Sequence, residues 1–364
     1  MPNPTSTPLQ HQEWFASQLL AWYPTHKREM PWRNTTNAYH IWLSEIILQQ
    51  TRVQQGTPYF EAFVNNFPTI DALANAPQDQ VLRLWQGLGY YSRARNLHTT
   101  AQYISQELKG VFPDSFKDLL KLKGVGNYTA AAIASFAYNE NVAVLDGNVF
   151  RVLARFFGIA EDIASPKGIK IFQQYAQEIL PKTDANSYNQ AIMEFGALQC
   201  TPQKPNCMYC PLQQNCKAFL ENLQSKLPLK TNKIKVKDRY LNYIFLEFEG
   251  KIIMRKRTQG EIWEGLYEPY LEETNSSITL ENFKIFAQLQ EFNCIFALQN
   301  EAKLQKHQLT HQRIWAKFWH IKLNNISEKL NLEAQNYVWI GIDKLKDLPK
   351  PILIARALSL VNQQ

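Results

Sequence analysis

Four of the five cysteines, Cys200, Cys207, Cys210 and Cys216, crowd into one segment with the pattern CX6CX2CX5C. That spacing brings four thiolates around one point in a compact loop, and such a donor set suits zinc or an iron-sulfur cluster. Crowding of this kind points to metal rather than to disulfides, and Cys294 stands apart from it. A second candidate is Glu45, the one carboxylate in the helix-forming run Trp42-Leu43-Ser44-Glu45-Ile46-Ile47-Leu48-Gln49-Gln50-Thr51. Partial burial there raises its pKa, which suits a general acid near neutral pH. On an outward face the same residue is an ordinary surface glutamate. Asp146 lies in Val144-Leu145-Asp146-Gly147-Asn148-Val149, between an apolar run and a helix, where an aspartate on its own reads as an N-cap. Upstream, Leu122-Lys123-Gly124-Val125-Gly126 permits a tight turn whose amides face outward at a helix start. Such a turn holds a phosphate, or simply joins two helices. Tyr128 follows it two residues on.

These residues need a scaffold, and from Glu13 to about Phe219 apolar side chains recur at helical spacing, as in Trp42, Ile46 and Val53 or Leu119, Leu122, Ala130 and Ile133. Pro68, Pro77, Pro113, Pro166 and Pro181 punctuate this pattern where helices should stop or start. The reading is multi-domain: an all-α domain over 1–225 carrying the cysteine loop, a Lys-rich linker over 226–239, and a smaller α+β domain over 240–364. In the last, Tyr240 to Phe248 and Lys251 to Arg255 flank Glu249-Gly250 as a hairpin, and Ile314 to Leu323 alternates like a strand. Asn282 to Leu289 and Pro351 to Val361 read as helices. A length of 364 residues accords with two domains, and 45% hydrophobic with 20% charged residues is ordinary for folded chains. The net charge of +7 suits a polyanionic partner without requiring one. Met1 to Leu9 has no apolar signal region and no membrane-length apolar run occurs, so a soluble protein without a membrane partner is expected.

A hairpin, a downstream Asp and then this Cys loop, in that order, resemble the endonuclease III superfamily of helix-hairpin-helix DNA glycosylases over most of residues 13 to 220. The resemblance implies one [4Fe-4S] cluster per chain on Cys200, Cys207, Cys210 and Cys216. It also implies DNA-backbone contacts at Gly124, Val125 and Gly126, with Lys204 and Lys217 flanking the loop. Superfamily members that also cleave the backbone carry a lysine at the Tyr128 position, whose amine attacks the sugar, so Tyr128 implies a monofunctional enzyme.

The segment SEIILQQT is similar to SEVMLQQT of the MutY family, the adenine DNA glycosylases. Met30-Pro31-Trp32-Arg33, Gly87-Leu88-Gly89-Tyr90-Tyr91-Ser92-Arg93 and Asn189-Gln190-Ala191 agree with it, all within the first domain. Position by position, the resemblance implies that Glu45 protonates adenine and Asp146 stabilises the sugar cation, assisted by Asn148 and Tyr128. Trp32, Arg33, Leu48 and Gln190 would form the adenine pocket. Gln50, Thr51, Leu88 and Tyr90 would fill the opened duplex and touch the orphan base. Adenine leaves poorly as an anion, so protonation at N7 and a carboxylate facing an oxocarbenium-like sugar, electrostatically or covalently, are what the chemistry needs. The implied setting is base excision repair by a monomer on duplex DNA with adenine opposite 8-oxoguanine or guanine, in the nucleoid-associated cytoplasm of a bacterium.

Residues 240–364 resemble the MutT-like (Nudix-fold) domain that ends this family, through Ile262-Trp263-Glu264-Gly265-Leu266-Tyr267-Glu268-Pro269 and Leu309-Thr310-His311. The family's tip reads Phe-Ser-His; Thr310 keeps the hydroxyl and adds a methyl. Thr310 and His311 are thus the expected contacts to 8-oxoguanine. No Glu-rich metal-binding helix of a true Nudix hydrolase is present, which disfavours a nucleotide hydrolase. A glycosylase-lyase is disfavoured by Tyr128, and a non-catalytic iron-sulfur DNA-binding protein would need neither Glu45 nor Asp146.

Overall fold

The computed structural model of the chain describes residues 8–231, 236–327, 332 and 336–361. Helices come first: α1 (Pro8–His26), α2 (Ala38–Leu48), α3 (Val53–Asn66), α4 (Ile70–Asn75), α5 (Gln78–Leu84), α6 (Ser92–Gln106), α7 (Phe116–Leu119), α8 (Asn127–Tyr138), α9 (Gly147–Phe157), α10 (Pro166–Glu178), α11 (Ala185–Leu198) and α12 (Lys217–Leu220). Then follow β1 (Lys237–Phe248), β2 (Lys251–Lys256), β3 (Tyr267–Thr274), α13 (Lys284–Glu291), β4 (Phe296–Glu301), β5 (Gln305–Gln308), β6 (Gln312–Leu323), β7 (Tyr337–Gly341) and α14 (Ile352–Ala357). The described residues divide into two compact units, one drawn from Met1–Ala74 and Thr99–Asn232, the other from Asn75–His98 and Lys233–Gln364.

In the helical unit, α9 is the axis of the main core. Its Val149, Val152, Leu153 and Phe156 are buried with Phe15, Leu19 and Trp22 of α1 and Tyr188, Ala191, Ile192 and Phe195 of α11. Short polar side chains start these helices. Asn37 caps α2, Asp146 caps α9, and Ser165 caps α10 ahead of Pro166, satisfying amides that have no partner within the helix. The helix-bounding prolines lie as expected, Pro77 at the N-cap of α5 and Pro166 in the first turn of α10.

The second unit is a mixed seven-stranded sheet in the order β4-β6-β1-β3-β2-β7, with β5 also on β6. β1 and β6 run parallel, from Lys237 opposite Gln312 to Glu247 opposite Lys322, and the other pairings are antiparallel. Successive side chains of β1 point to opposite faces. Ile244 and Leu246 join Phe283, Ile285 and Leu289 around α13, whereas Leu241, Tyr243 and Phe245 join Leu353 and Ile354 of α14.

The structure shifts two boundaries from the sequence reading. Both ends of the Lys226–Arg239 stretch are ordered elements, since Leu227 is buried in the helical core, Leu229 bridges Asp162, and Lys237–Arg239 already belong to β1. Gly87–Arg93, read as part of the helical domain, lies within Asn75–His98 of the second unit. The reason is side-chain chemistry: Asp79 pairs with Lys256 at 2.6 Å, Arg83 donates to the Lys346 carbonyl at 3.0 Å, and Arg95 donates to the Glu264 carbonyl at 2.8 Å.

One close approach sets the working end of α9. A Cβ on Gly196 of α11 would fall 2.7 Å from the Asn148 Cβ and 2.9 Å from the Asn148 carbonyl oxygen. Gly196→Ala is therefore expected to destabilise the chain by roughly 1–3 kcal/mol, because backbone must move. Gly147→Ala, whose Cβ would meet nothing within 4 Å, is the comparison that should show no such loss in chemical denaturation.

Candidate active site

A cavity of about 220 Å³ opens in the helical unit, and Trp32, Arg33, Glu45, Leu48, Tyr128 and Asp146 help line it. α2 delivers Glu45 to it. That helix is buried from Ala38 to Ile47 except at His40, packing on α3 and α8, so its single carboxylate enters the interior at 7% exposure. Tyr128, in the first turn of α8, donates its hydroxyl to Glu45 Oε2 at 2.5 Å. Burial pushes the Glu45 carboxyl up to about 7; Asp146 pushes the same way, while the Tyr128 bond and Arg33 oppose it. Burial, with these carboxylates, keeps the Tyr128 phenol neutral by raising its pKa.

Asp146 is the N-cap of α9. Its Oδ1 accepts the amides of Asn148 and Val149 at 2.8 Å each, and its Oδ2 accepts from Asn148 Nδ2 at 2.7 Å. Burial raises its pKa and these three bonds pull it back. Asn148 is held in turn by Arg151, which donates to Asn148 Oδ1 at 2.9 Å, to the Gly196 carbonyl at 2.6 Å and to the Cys200 carbonyl at 2.7 Å. One carboxyl near its midpoint at neutral pH thus shares a cavity with one that accepts three hydrogen bonds. The first can supply a proton, and the second can face a developing positive charge.

Opposite them, the buried Glu194 receives Arg28 Nη2 and Arg33 Nη2 at 2.7 Å each. Burial opposes its charge, but the hydrogen bonds from Arg28 and Arg33 hold the carboxyl down at about 2. This arrangement fixes the Arg33 guanidinium at the cavity wall. Gln190 is oriented by Tyr23, whose hydroxyl donates to its Oε1 at 3.0 Å, and Trp32 stacks edge-on against Phe60 with ring centres 5.1 Å apart.

Cys200, Cys207, Cys210 and Cys216 line one small cavity with Val152, Arg155, Phe195 and Leu212. Burial, with the neighbouring thiols, pushes Cys210 up to about 12. Arg155 Nη1 donates to Cys200 Sγ at 3.4 Å. Among the described residues, no three or more His, Cys, Asp or Glu side chains are set to hold a single metal ion.

The family profile described as "HhH-GPD superfamily base excision DNA repair protein" matches residues 43–181, and a NUDIX domain profile matches 242–360. An adenine DNA glycosylase of Buchnera aphidicola subsp. Baizongia pistaciae is 33% identical over 353 residues, which are 96% of this chain and 97% of that protein. The chain belongs to the adenine DNA glycosylase family. A thermostable thymine-DNA glycosylase has a similar fold, with a TM-score of 0.55 and 27% identity over 58% of this chain and 98% of that one. A non-covalent endonuclease III–DNA complex shares the fold at a TM-score of 0.52 and 19% identity, over 60% of this chain and 100% of that one.

Of the residues that likeness to the adenine DNA glycosylases singles out, Trp32, Arg33, Glu45, Leu48, Thr51, Tyr128, Asp146, Asn148 and Gln190 share the helical unit's cavity. Gln50 lies just past α2, exposed, with a left-handed φ of +58°. Gly124, at φ +78°, and Gly126, the N-cap of α8, are exposed around the buried Val125. Leu88, Tyr90, Thr310 and His311 come together in the second unit around a cavity of about 490 Å³, where the Tyr90 and Thr310 hydroxyls are hydrogen-bonded.

Arg28, Arg151 and Glu194 escaped sequence reasoning. Glu194 carries the signal that revealed Glu45, a lone carboxylate in the apolar helical run Ala191-Ile192-Met193-Glu194-Phe195. Arg28 has none, because its partner Glu194 lies 166 positions along the chain, and Arg151 has none, because two of its acceptors are the carbonyls of Gly196 and Cys200.

The raised pKa of Glu45 has a thermodynamic consequence. Below the ordinary value of 4.5 its carboxyl is neutral whether the chain is folded or not; as pH climbs to about 7 the folded state holds the extra proton and loses stability. Glu45→Gln never ionises. It should raise the unfolding free energy by on the order of 2–3 kcal/mol at about pH 8 and by little at about pH 4. Equal effects at both would mean that burial does not shift this group.

Proposed function

We propose that this chain removes adenine from duplex DNA where it is mispaired with 8-oxoguanine or guanine, as a monofunctional N-glycosylase. The observation that carries the reading is the pairing of Glu45, raised to about 7 by burial and bonded to Tyr128, with Asp146 in one cavity. Family membership supports adenine as the base.

In this reading the extruded adenine enters beside Trp32, Arg33, Leu48 and Gln190. Glu45 hands its proton to N7, so the base leaves neutral and the bond breaks toward an oxocarbenium-like sugar. Asp146, its charge directed by Asn148 and the start of α9, faces that cation. Tyr128 stays a neutral hydrogen-bond donor, and no amine stands there to form a Schiff base. Gly124, Val125 and Gly126 would hold a DNA phosphate at the start of α8. Gln50, Thr51, Leu88 and Tyr90 would occupy the opened stack. Thr310, with His311 beside it, would meet the oxidised guanine through its hydroxyl. Among the described residues of the sheet unit no helix is Glu-rich, and α13 holds one glutamate, Glu291, which favours recognition over hydrolysis. We place the enzyme as a monomer on nucleoid DNA.

The cysteine set fits a [4Fe-4S] cluster. A single zinc would need all four sulfurs within roughly 2.3 Å of one point, whereas thiolates on the corners of a cluster stand further apart around a common cavity. Cys200, Cys207, Cys210 and Cys216 would hold it, and a bound cluster would supply local charge and tie the loop to α9, with Arg155 balancing the thiolate charge. Purified protein should be yellow-brown and carry about four irons per chain; one zinc and no iron would refute the assignment.

The functional test is single-turnover incubation with duplex containing adenine opposite 8-oxoguanine or guanine, followed by alkali to reveal abasic sites. Glu45→Gln and Asp146→Asn should each slow excision at least about a hundredfold while mispair binding persists. The wild-type rate should fall as pH rises through about 7, where Glu45 loses its proton, and fall again on the acid side as Asp146 gains one. Thr310→Val should weaken the preference for 8-oxoguanine about fivefold, the worth of one hydrogen bond. Near-wild-type rates in either carboxylate variant would remove that residue from the mechanism, and an unchanged preference would remove Thr310.

A further inference from the structure

Between α5 and α6 the chain adopts three left-handed residues in quick succession, Gly87, Gly89 and Tyr90, at φ values of +107°, +71° and +47°. Glycine adopts this region freely and tyrosine only at a cost, so contacts from outside residue 90 hold it there, the hydrogen bond between its hydroxyl and Thr310 among them. The held ring is 50% exposed and stands at the rim of the cavity lined by Leu88, Trp263, Thr310 and His311.

The neighbouring contacts converge on Arg93, in the first turn of α6. Its amide donates to the Tyr90 carbonyl at 2.8 Å. Its Nη2 reaches the carbonyls of Leu88 and Gly89 at 3.3 Å each, the two peptide units that lead into Tyr90. Its guanidinium carbon lies 5.1 Å from the Trp85 ring centre and 5.5 Å from that of Tyr90. Trp85 is fully buried and its Nε1 donates to the Gly89 carbonyl at 2.9 Å, so one ring is anchored and the other rests on it through the cation. Burial lowers the Arg93 pKa to about 10, with Tyr90 opposing, and the group stays charged at neutral pH.

We propose that Arg93 is a positioning residue for duplex opening: its guanidinium, braced on Trp85 and bonded to the carbonyls of Leu88 and Gly89, presents the Tyr90 ring in a fixed conformation. This rests on the function proposed above, in which Tyr90 occupies the opened stack. A ring already ordered inserts without freezing a loop at the moment of binding. Lysine is a poor substitute, since it keeps a charge but lacks the planar fork that spans two carbonyls and two rings.

The test compares the full-length wild type with Arg93→Met and Arg93→Lys. Single-turnover excision is measured on a duplex carrying adenine opposite 8-oxoguanine and on the same sequence with that adenine in an unpaired bubble. A 2-aminopurine next to the mispair reports unstacking on binding, before excision. Arg93→Met should lose about tenfold on the paired duplex but less than about threefold on the bubble, and should lose most of the fluorescence rise. Arg93→Lys should recover only part of both. Equal losses on the two substrates would overturn the proposal, as would unstacking equal to wild type. If Arg93→Met does not fold, by its circular dichroism, Arg93→Lys carries the same comparison. A wild type that excises nothing from either substrate would refute the proposed function, while its fluorescence against that of the variants still decides the role of Arg93.

Discussion

The carboxylate of Asp146 accepts the amides of Asn148 and Val149 at the start of α9, and much of the helical unit is arranged around that cap. The start of α9 sets where Asn148 stands against Gly196, where Arg151 reaches the Cys200 carbonyl, and where Arg155 meets the Cys200 sulfur. The same helix carries the apolar stripe that packs on α1 and α11. A helix start has orphan amides in any fold; here an aspartate satisfies them and keeps one edge toward a cavity. The carboxylate that starts the helix therefore also borders the cavity, and an alanine at 146 would lose a cap as well as a charge.

Burial treats the carboxylates of this cavity differently because their partners differ. Glu194 meets two guanidinium groups and is held ionised at about 2, whereas Glu45 meets a phenol and is pushed up to about 7. A hydrogen bond from a neutral hydroxyl cannot repay the loss of water around a charge; two cations can. Glu194 consequently makes a fixed wall, with Arg33 locked in place, and Glu45 makes a group that changes state near neutral pH.

What was legible in the sequence were features made of neighbours in the chain. The apolar run around Glu45, the glycine turn before Tyr128, the Asp146 start and the cysteine spacing are all local, and each lies on the element expected for it. Strands β1, β2 and β6 were readable from their apolar runs or alternation. β3 was not, because Tyr267-Glu268-Pro269-Tyr270 carries a proline and a charge in its middle. The structure accommodates both: Glu268 is buried against Arg255 and Arg257, and Pro269 falls where β3 passes from pairing with β2 to pairing with β1. Salt bridges between distant segments leave no periodicity behind, which is also why Arg28, paired with Glu194, gave no signal.

The same limit applies to domain membership. Helical periodicity reports that residues 78–84 and 92–106 are helices, but not which core they join. Leu82 packs beneath Gly265, where an added Cβ would come within 3.2 Å, and Tyr91 donates to the Lys350 carbonyl; these contacts tie the segment to the sheet. The second unit is thus discontinuous in sequence, closed by an excursion from the middle of the helical run. A cut in the Lys-rich stretch would strip residues 75–98 of the sheet partners of Asp79, Leu82, Arg83, Tyr91 and Arg95. Tyr90 and Thr310 are 220 positions apart in the chain yet share a hydrogen bond, so an aromatic from the helical run and the hydroxyl of a sheet loop form one surface.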